Sequence, residues 1–237
     1  MPFTPEMTVA DAIRNLPEAI EVFEAMEIDY SCQGARSLAD AAENAGYPTA
    51  DVIGRLESAR ADRRDVNWFQ QSLASMIDYL VKDHRRTIGE HLPALRDHID
   101  KVAKALGDVS DVRRIRNLFS YLSDSLASHV FNEERELFPF INHLDAANNE
   151  ILAAPKMRIS QRVLRELVEH ESFRDRLRTL NELAQRLPAG EAIRAFRSDL
   201  YLFSQEIKRH MHLENNVLYP RAIDIENGLR RTAIANA

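Results

Sequence analysis

Residues 129–139 read HVFNEERELFP, and residues 210–220 read HMHLENNVLYP. The two stretches share one layout. His129, Glu133, Leu137, Phe138 and Pro139 answer to His210, Glu214, Leu218, Tyr219 and Pro220. On a helix, a spacing of four places histidine and glutamate one turn apart on the same face. Imidazole with carboxylate suits iron, manganese or zinc better than calcium or magnesium. A single His-x-x-x-Glu is usually a solvated contact between side chains. Two copies with the same apolar-Pro ending, in a chain that also carries His84 and His170 on apolar stripes, point to metal.

Those side chains need long helices to position them. Periodic apolar residues predict helices over about 68–106, 112–144, 157–187 and 191–219. The first carries Leu73, Ile77, Leu80, Ile88 and Leu95, with His84 among them. The second carries Leu118, Leu122, Leu126, Val130, Leu137 and Phe140, with His129 and Glu133 on or beside the stripe. The third carries Val163, Leu167, Leu177 and Leu180 around His170; the fourth carries Phe203, Ile207 and Leu218 in register with His210 and Glu214. Asp108 after Gly107, and the Pro188-Ala-Gly190 turn, separate neighbours, while the stretch DAANNEILAAP makes a longer connection. Pro93 predicts a kink, because it lacks an N–H its turn would use. Short loops favour antiparallel packing, so the expected fold is all-α, a four-helix bundle behind a small helical N-terminal section. The expected boundaries are 1–60 for that section, 61–67 for a charged linker, 68–225 for the bundle and 226–237 for a tail. Thr8 and Ser37 look like helix starts, and Thr49 like a cap.

Two carboxylates in a dry core cost several kcal/mol each unless a cation compensates them. No Lys or Arg recurs at a matching core position. Four imidazoles give two nitrogens to each of two metals, and two carboxylates can bridge the pair, as in other helical bundles. The remaining candidates read differently. His143 and His212 are expected off the site, His212 pointing about 160° from the His210 face. His91 and His98 keep the His84 face but lie too far along the helix to share one small metal pair. Glu134 and Glu136 read as solvated; Glu171 reads as a surface residue, with orienting a neighbouring ligand as the alternative.

The 237 residues are 45 % hydrophobic and 29 % charged, with few glycines and prolines, an ordinary helical composition. A net charge of −6 argues against general nucleic-acid binding. Cys32 is the only cysteine, so no intrachain disulfide can form, which fits a reducing compartment. MPFTPEMTVADAIRN has no basic start and no apolar run, and no stretch of about 20 apolar residues follows. The expectation is a cytoplasmic protein without a membrane span.

The motifs HVFNEERELFP, RHMHLENNVLYPRA, Asp83-His84 with LPAL at 92–95, and Glu169-His170-Glu171 resemble the repair-of-iron-centres family, with its hemerythrin-like domain. IDYSCQGARSLADAA resembles the cysteine turn of that family's N-terminal section. The resemblance implies a carboxylate-bridged pair of non-haem iron ions on His84, His129, His170 and His210, with Glu133 and Glu214 as bridges. It implies iron–sulfur cluster repair after nitrosative or oxidative stress, with damaged iron–sulfur proteins as partners and iron donation as the means. Oxygen or nitric oxide are the implied small ligands. Two departures stand out. Ser31 precedes Cys32 where the family usually has two cysteines, which leaves Cys32 as a lone candidate for iron or nitric oxide, or for pairing across a homodimer. Leu106 stands where the family often has histidine. Three other readings remain open at this point: an oxygen or nitric oxide sensor or carrier, a nitric oxide reductase, and a helical scaffold whose histidines are structural.

Overall fold

The computed structural model describes residues 2–59, 68–107, 109–146 and 158–235. Every regular element among them is helical, as the periodicity predicts. The whole of the expected linker, Asp108 and most of the DAANNEILAAP connection lie outside the described residues.

One compact unit comprises Met1–Ser72 together with Lys208–Pro220. It holds α1 (Val9–Asn15), α2 (Ala19–Ala25), α3 (Leu38–Asn44) and α4 (Thr49–Ala59). Thr8 and Ser37 cap α1 and α3, their hydroxyls accepting from the Asp11 and Asp40 amides at 3.0 and 3.1 Å. The two starts are written alike, TVADAIRN and SLADAAEN. They lie side by side: Val9 N–H donates to Arg36 O and Leu38 N–H to Met7 O. Thr49 is the first residue of α4, not its cap. The helices enclose a core that includes Val9, Leu16, Phe23, Met26, Leu38, Val52 and Leu56.

The second unit comprises Leu73–Ile207 and Arg221–Ala237. Its first helical run joins α5 (Leu73–Arg86) and α6 (Leu92–Leu106) through a π turn over Thr87–His91; its second joins α7 (Ser110–Asn132) and α8 (Phe138–Ala146) through a π turn over Glu133–Leu137. The third run is α9 (Ile159–Arg186). The fourth run is α10 (Glu191–Leu213), a π turn over Glu214–Leu218, and α11 (Tyr219–Ala235), of which Lys208–Pro220 belongs to the first unit. The fourth therefore continues past Pro220, where the periodicity ended it, through most of the expected tail. α7 packs on α6 and α9, and α5 on α8. Arg197 of α10 donates to the carbonyls of Ala184, Gln185 and Leu187, covering the C-terminal end of α9.

The π turns explain the prolines. At the end of each, an N–H bonds five residues back: Leu92 to Thr87 O, Phe138 to Glu133 O, Tyr219 to Glu214 O. Pro93, Pro139 and Pro220 come next in each case. A proline inside an α-helix lacks a donor and clashes with the carbonyl four residues back. A widened turn has already displaced that carbonyl. The extra residue also shifts the stripe: Thr87 and Leu92 are buried, while Ile88 is only partly so. Likewise Phe138 occupies the core position expected for Phe140; upstream of the turn, Phe119 is buried where Leu118 was expected. Gly107 ends α6 at φ +75°, a conformation that favours glycine.

Candidate metal centre

Each π turn on the second and fourth runs begins on the glutamate of the repeated motif. An α turn carries His129 to Glu133 and His210 to Glu214. The widened turn then brings Leu137 and Phe138, and Leu218 and Tyr219, to the inside, where all four are buried. Both glutamates are completely buried, and His84, His129, His170 and His210 are at most 8 % exposed.

Within the bundle unit the geometry is specific. His84 Nε2 lies 3.5 Å from Glu133 Oε2, and His129 Nε2 lies 3.4 Å from the same oxygen. His129 Nε2 and His170 Nε2 are 3.0 Å apart. Two nitrogens bound at about 2.1 Å and at right angles on one cation would be about 3.0 Å apart. Phe138 stacks on the His84 ring, and Phe173 meets the His129 ring edge-on. In the other unit His210 Nε2 lies 3.0 Å from Glu214 Oε1. The donor set fits a hard-to-borderline transition metal with mixed imidazole and carboxylate ligation.

The outer nitrogens are occupied by residues the stripes do not reveal. His84 Nδ1 lies 3.0 Å from Glu134 Oε1, so Glu134 is not the solvated residue its register suggests. His129 Nδ1 lies 2.8 Å from Glu169 Oε2 and 3.0 Å from Glu166 Oε2. Acceptors there place the ring protons on Nδ1 and leave Nε2 lone pairs facing inward. The hydrogen bond from the His129 ring holds the Glu169 carboxyl below the usual range. Glu169 was visible in sequence as the neighbour of His170, while Glu166 had only its i,i+3 spacing from Glu169 on α9.

The other histidines fall elsewhere. His91 Nδ1 pairs with Glu206 at 2.6 Å and His98 Nε2 with Asp199 at 3.0 Å. His143 is exposed and Glu171 too. His212 faces away from His210, as expected, and is buried. Its Nδ1 lies 3.3 Å from Tyr30 O and 3.1 Å from Asn216 Nδ2, and burial pushes its pKa down to about 4. The cysteine turn sits over the same helix segment. Asn215 and Asn216 both donate to Ser31 O, and Gly34 approaches Asn216 so closely that a Cβ would collide with it. Cys32 is partly exposed; its N–H donates to Asp29, and the Ser31 hydroxyl lies 3.8 Å from its sulfur. Beside it, Tyr30 donates to Glu24 at 2.7 Å, and Arg209 holds Glu24 with two hydrogen bonds.

A helical bundle with inward histidines and buried glutamates defines a class of cation-binding proteins. Residues 75–222 match the hemerythrin HHE cation binding domain, and the chain belongs to that family. Residues 5–60 match a domain of unknown function named ScdA_N. A probable iron-sulfur cluster repair protein of Haemophilus influenzae is 27 % identical, over 89 % of this chain and 93 % of its own length. The iron-sulfur cluster repair protein YtfE of Pectobacterium carotovorum is 28 % identical, over 88 % of this chain and 92 % of its own. Among the described residues no helix is long and apolar enough to cross a membrane.

Proposed function

We propose that the chain is a non-haem di-iron protein that assists repair of damaged iron–sulfur clusters by releasing iron. Within the bundle unit His84, His129, Glu133 and His170 would hold the metal, and His210 with Glu214 is the second His–Glu pair this reading assigns as ligands. The observation that carries this reading is the 3.0 Å approach of the His129 and His170 Nε2 atoms beside the buried Glu133. The HHE family match and the repair proteins to which the chain is similar over most of its length give it its context. Bound ferrous iron supplies an exchangeable metal in a site without thiolate ligands. The protein's part is to hold imidazole lone pairs inward, keep carboxylates dry, and pack Phe138 and Phe173 around the ligands.

Metal analysis of the purified chain is expected to give about two irons, as bundles with this ligand type hold. Glu133→Ala and Glu214→Ala are each expected to lose most of that iron. Full loading of both variants would refute the ligand assignment. Mixing loaded protein with a cluster enzyme whose damaged cluster lacks iron but keeps its sulfide should restore its activity, with iron lost from the donor in proportion.

A further inference from the structure

Within the first unit, the segment that carries His210 and Glu214 is gripped beside each of them. Asn215 and Asn216 follow Glu214 inside the π turn. Asn215 donates to Ser31 O at 3.0 Å, and Asn216 donates to Tyr30 O and Ser31 O at 3.2 Å each. Arg209 precedes His210 and donates to both oxygens of Glu24, at 3.0 and 3.1 Å. The turn that receives the asparagines is itself held in one orientation. The Asp29 carboxylate accepts from the Ser31 and Cys32 N–H groups at 3.0 and 3.1 Å. In a planar trans peptide the C=O points opposite to the N–H. The Tyr30 and Ser31 carbonyls therefore face away from Asp29 and toward the asparagines. Gly34 lets the backbone come closer to Asn216 than a Cβ would allow. A π turn is a rare departure from the α-helix, and Glu214 is the first residue of this one.

From these contacts we propose that residues 24–34 clamp the turn, with Arg209, Asn215 and Asn216 as positioning residues that fix His210 and Glu214 for metal. The domain matched over residues 5–60 thereby acquires a part in metal binding. This rests on the reading of His210 and Glu214 as ligands and adds what holds them in place.

The test is the ferrous iron affinity of the full-length chain, measured anaerobically by competition with a chromophoric chelator. A second readout is the visible spectrum of the chain loaded with cobalt(II), which follows the arrangement of ligands around the metal. The double variant Asn215→Ala with Asn216→Ala should weaken iron binding by about 10- to 100-fold, the usual cost of losing groups that orient a ligand, and should shift the cobalt spectrum. Arg209 is half-exposed, so Arg209→Gln endangers the fold least and should move both readouts in the same direction. It decides the matter if the double variant does not fold. Val52→Ala is the control. Val52 lies in the core of the same unit, so its loss should lower stability in urea and leave both readouts unchanged. Wild-type affinity and spectrum in the folded asparagine variant would overturn the proposal. An equal loss of affinity in Val52→Ala would also overturn it, by making the clamp a source of stability alone. Wild-type affinity in Glu214→Ala would sink the ligand reading and the proposal with it, which separates the two failures.

Discussion

Glu134 shows how far a residue can be read from its own helix. It follows the buried Glu133 and lies off the stripe, yet it meets His84, fifty residues earlier in the chain. Nothing local to 129–139 encodes that meeting. His212 shows the reverse case: its direction away from His210 is local, but its burial comes from Tyr30 and Asn216. With its pKa pushed by burial from the usual 6.5 down to about 4, His212 stays neutral when folded and takes a proton when unfolded. Its contribution is therefore complete above pH 6.5 and is lost as pH falls from 6.5 to 4, by on the order of 3 kcal/mol. Urea unfolding of the wild type and His212→Gln across that range should show a gap between them that narrows toward acid. A constant gap would mean that His212 titrates alike in both states.

At the scale of elements, the π turns carry much of the design. A repeat that looked like ligand spacing alone also encodes a widened turn, with its apolar pair and proline. Pro139 should therefore be nearly neutral: Pro139→Ala should change stability by less than about 1 kcal/mol, where relief of a true mid-helix proline would gain about 3. Chemical denaturation decides between them. Deleting Glu136 should be far worse, because a turn shortened by one residue rotates everything after it by about 100°. The deleted chain is expected to bind no iron even if it stays helical by circular dichroism. In the first unit, Gly34→Ala should push Asn216 off the Tyr30 and Ser31 carbonyls. The expected loss is about 1–3 kcal/mol, the cost of leaving buried polar groups unsatisfied.

For the whole molecule, a ligand that binds only the folded chain stabilises it by mass action. Free iron at about 100 times its dissociation constant should contribute about 2.7 kcal/mol, or roughly 5–10 °C in Tm for a chain of this size. Thermal unfolding before and after chelation measures it; an unchanged Tm would mean that iron does not bind the native bundle selectively. Composition and the 3.6-residue apolar period were enough to determine an all-α chain, four long helices and the six inward His and Glu candidates, because facing is a local property of a helix. Helix ends and register were legible less well: Pro93 and Pro220 look like breaks until the widened turns before them are known. Only the tertiary structure decided that Glu134, Glu166 and Glu169 brace the histidines, that His91 and His98 pair with Glu206 and Asp199, and that His212 is buried. Each of those depends on which residues of another helix arrive within about 3 Å, and spacing along one strand of sequence carries no record of that distance.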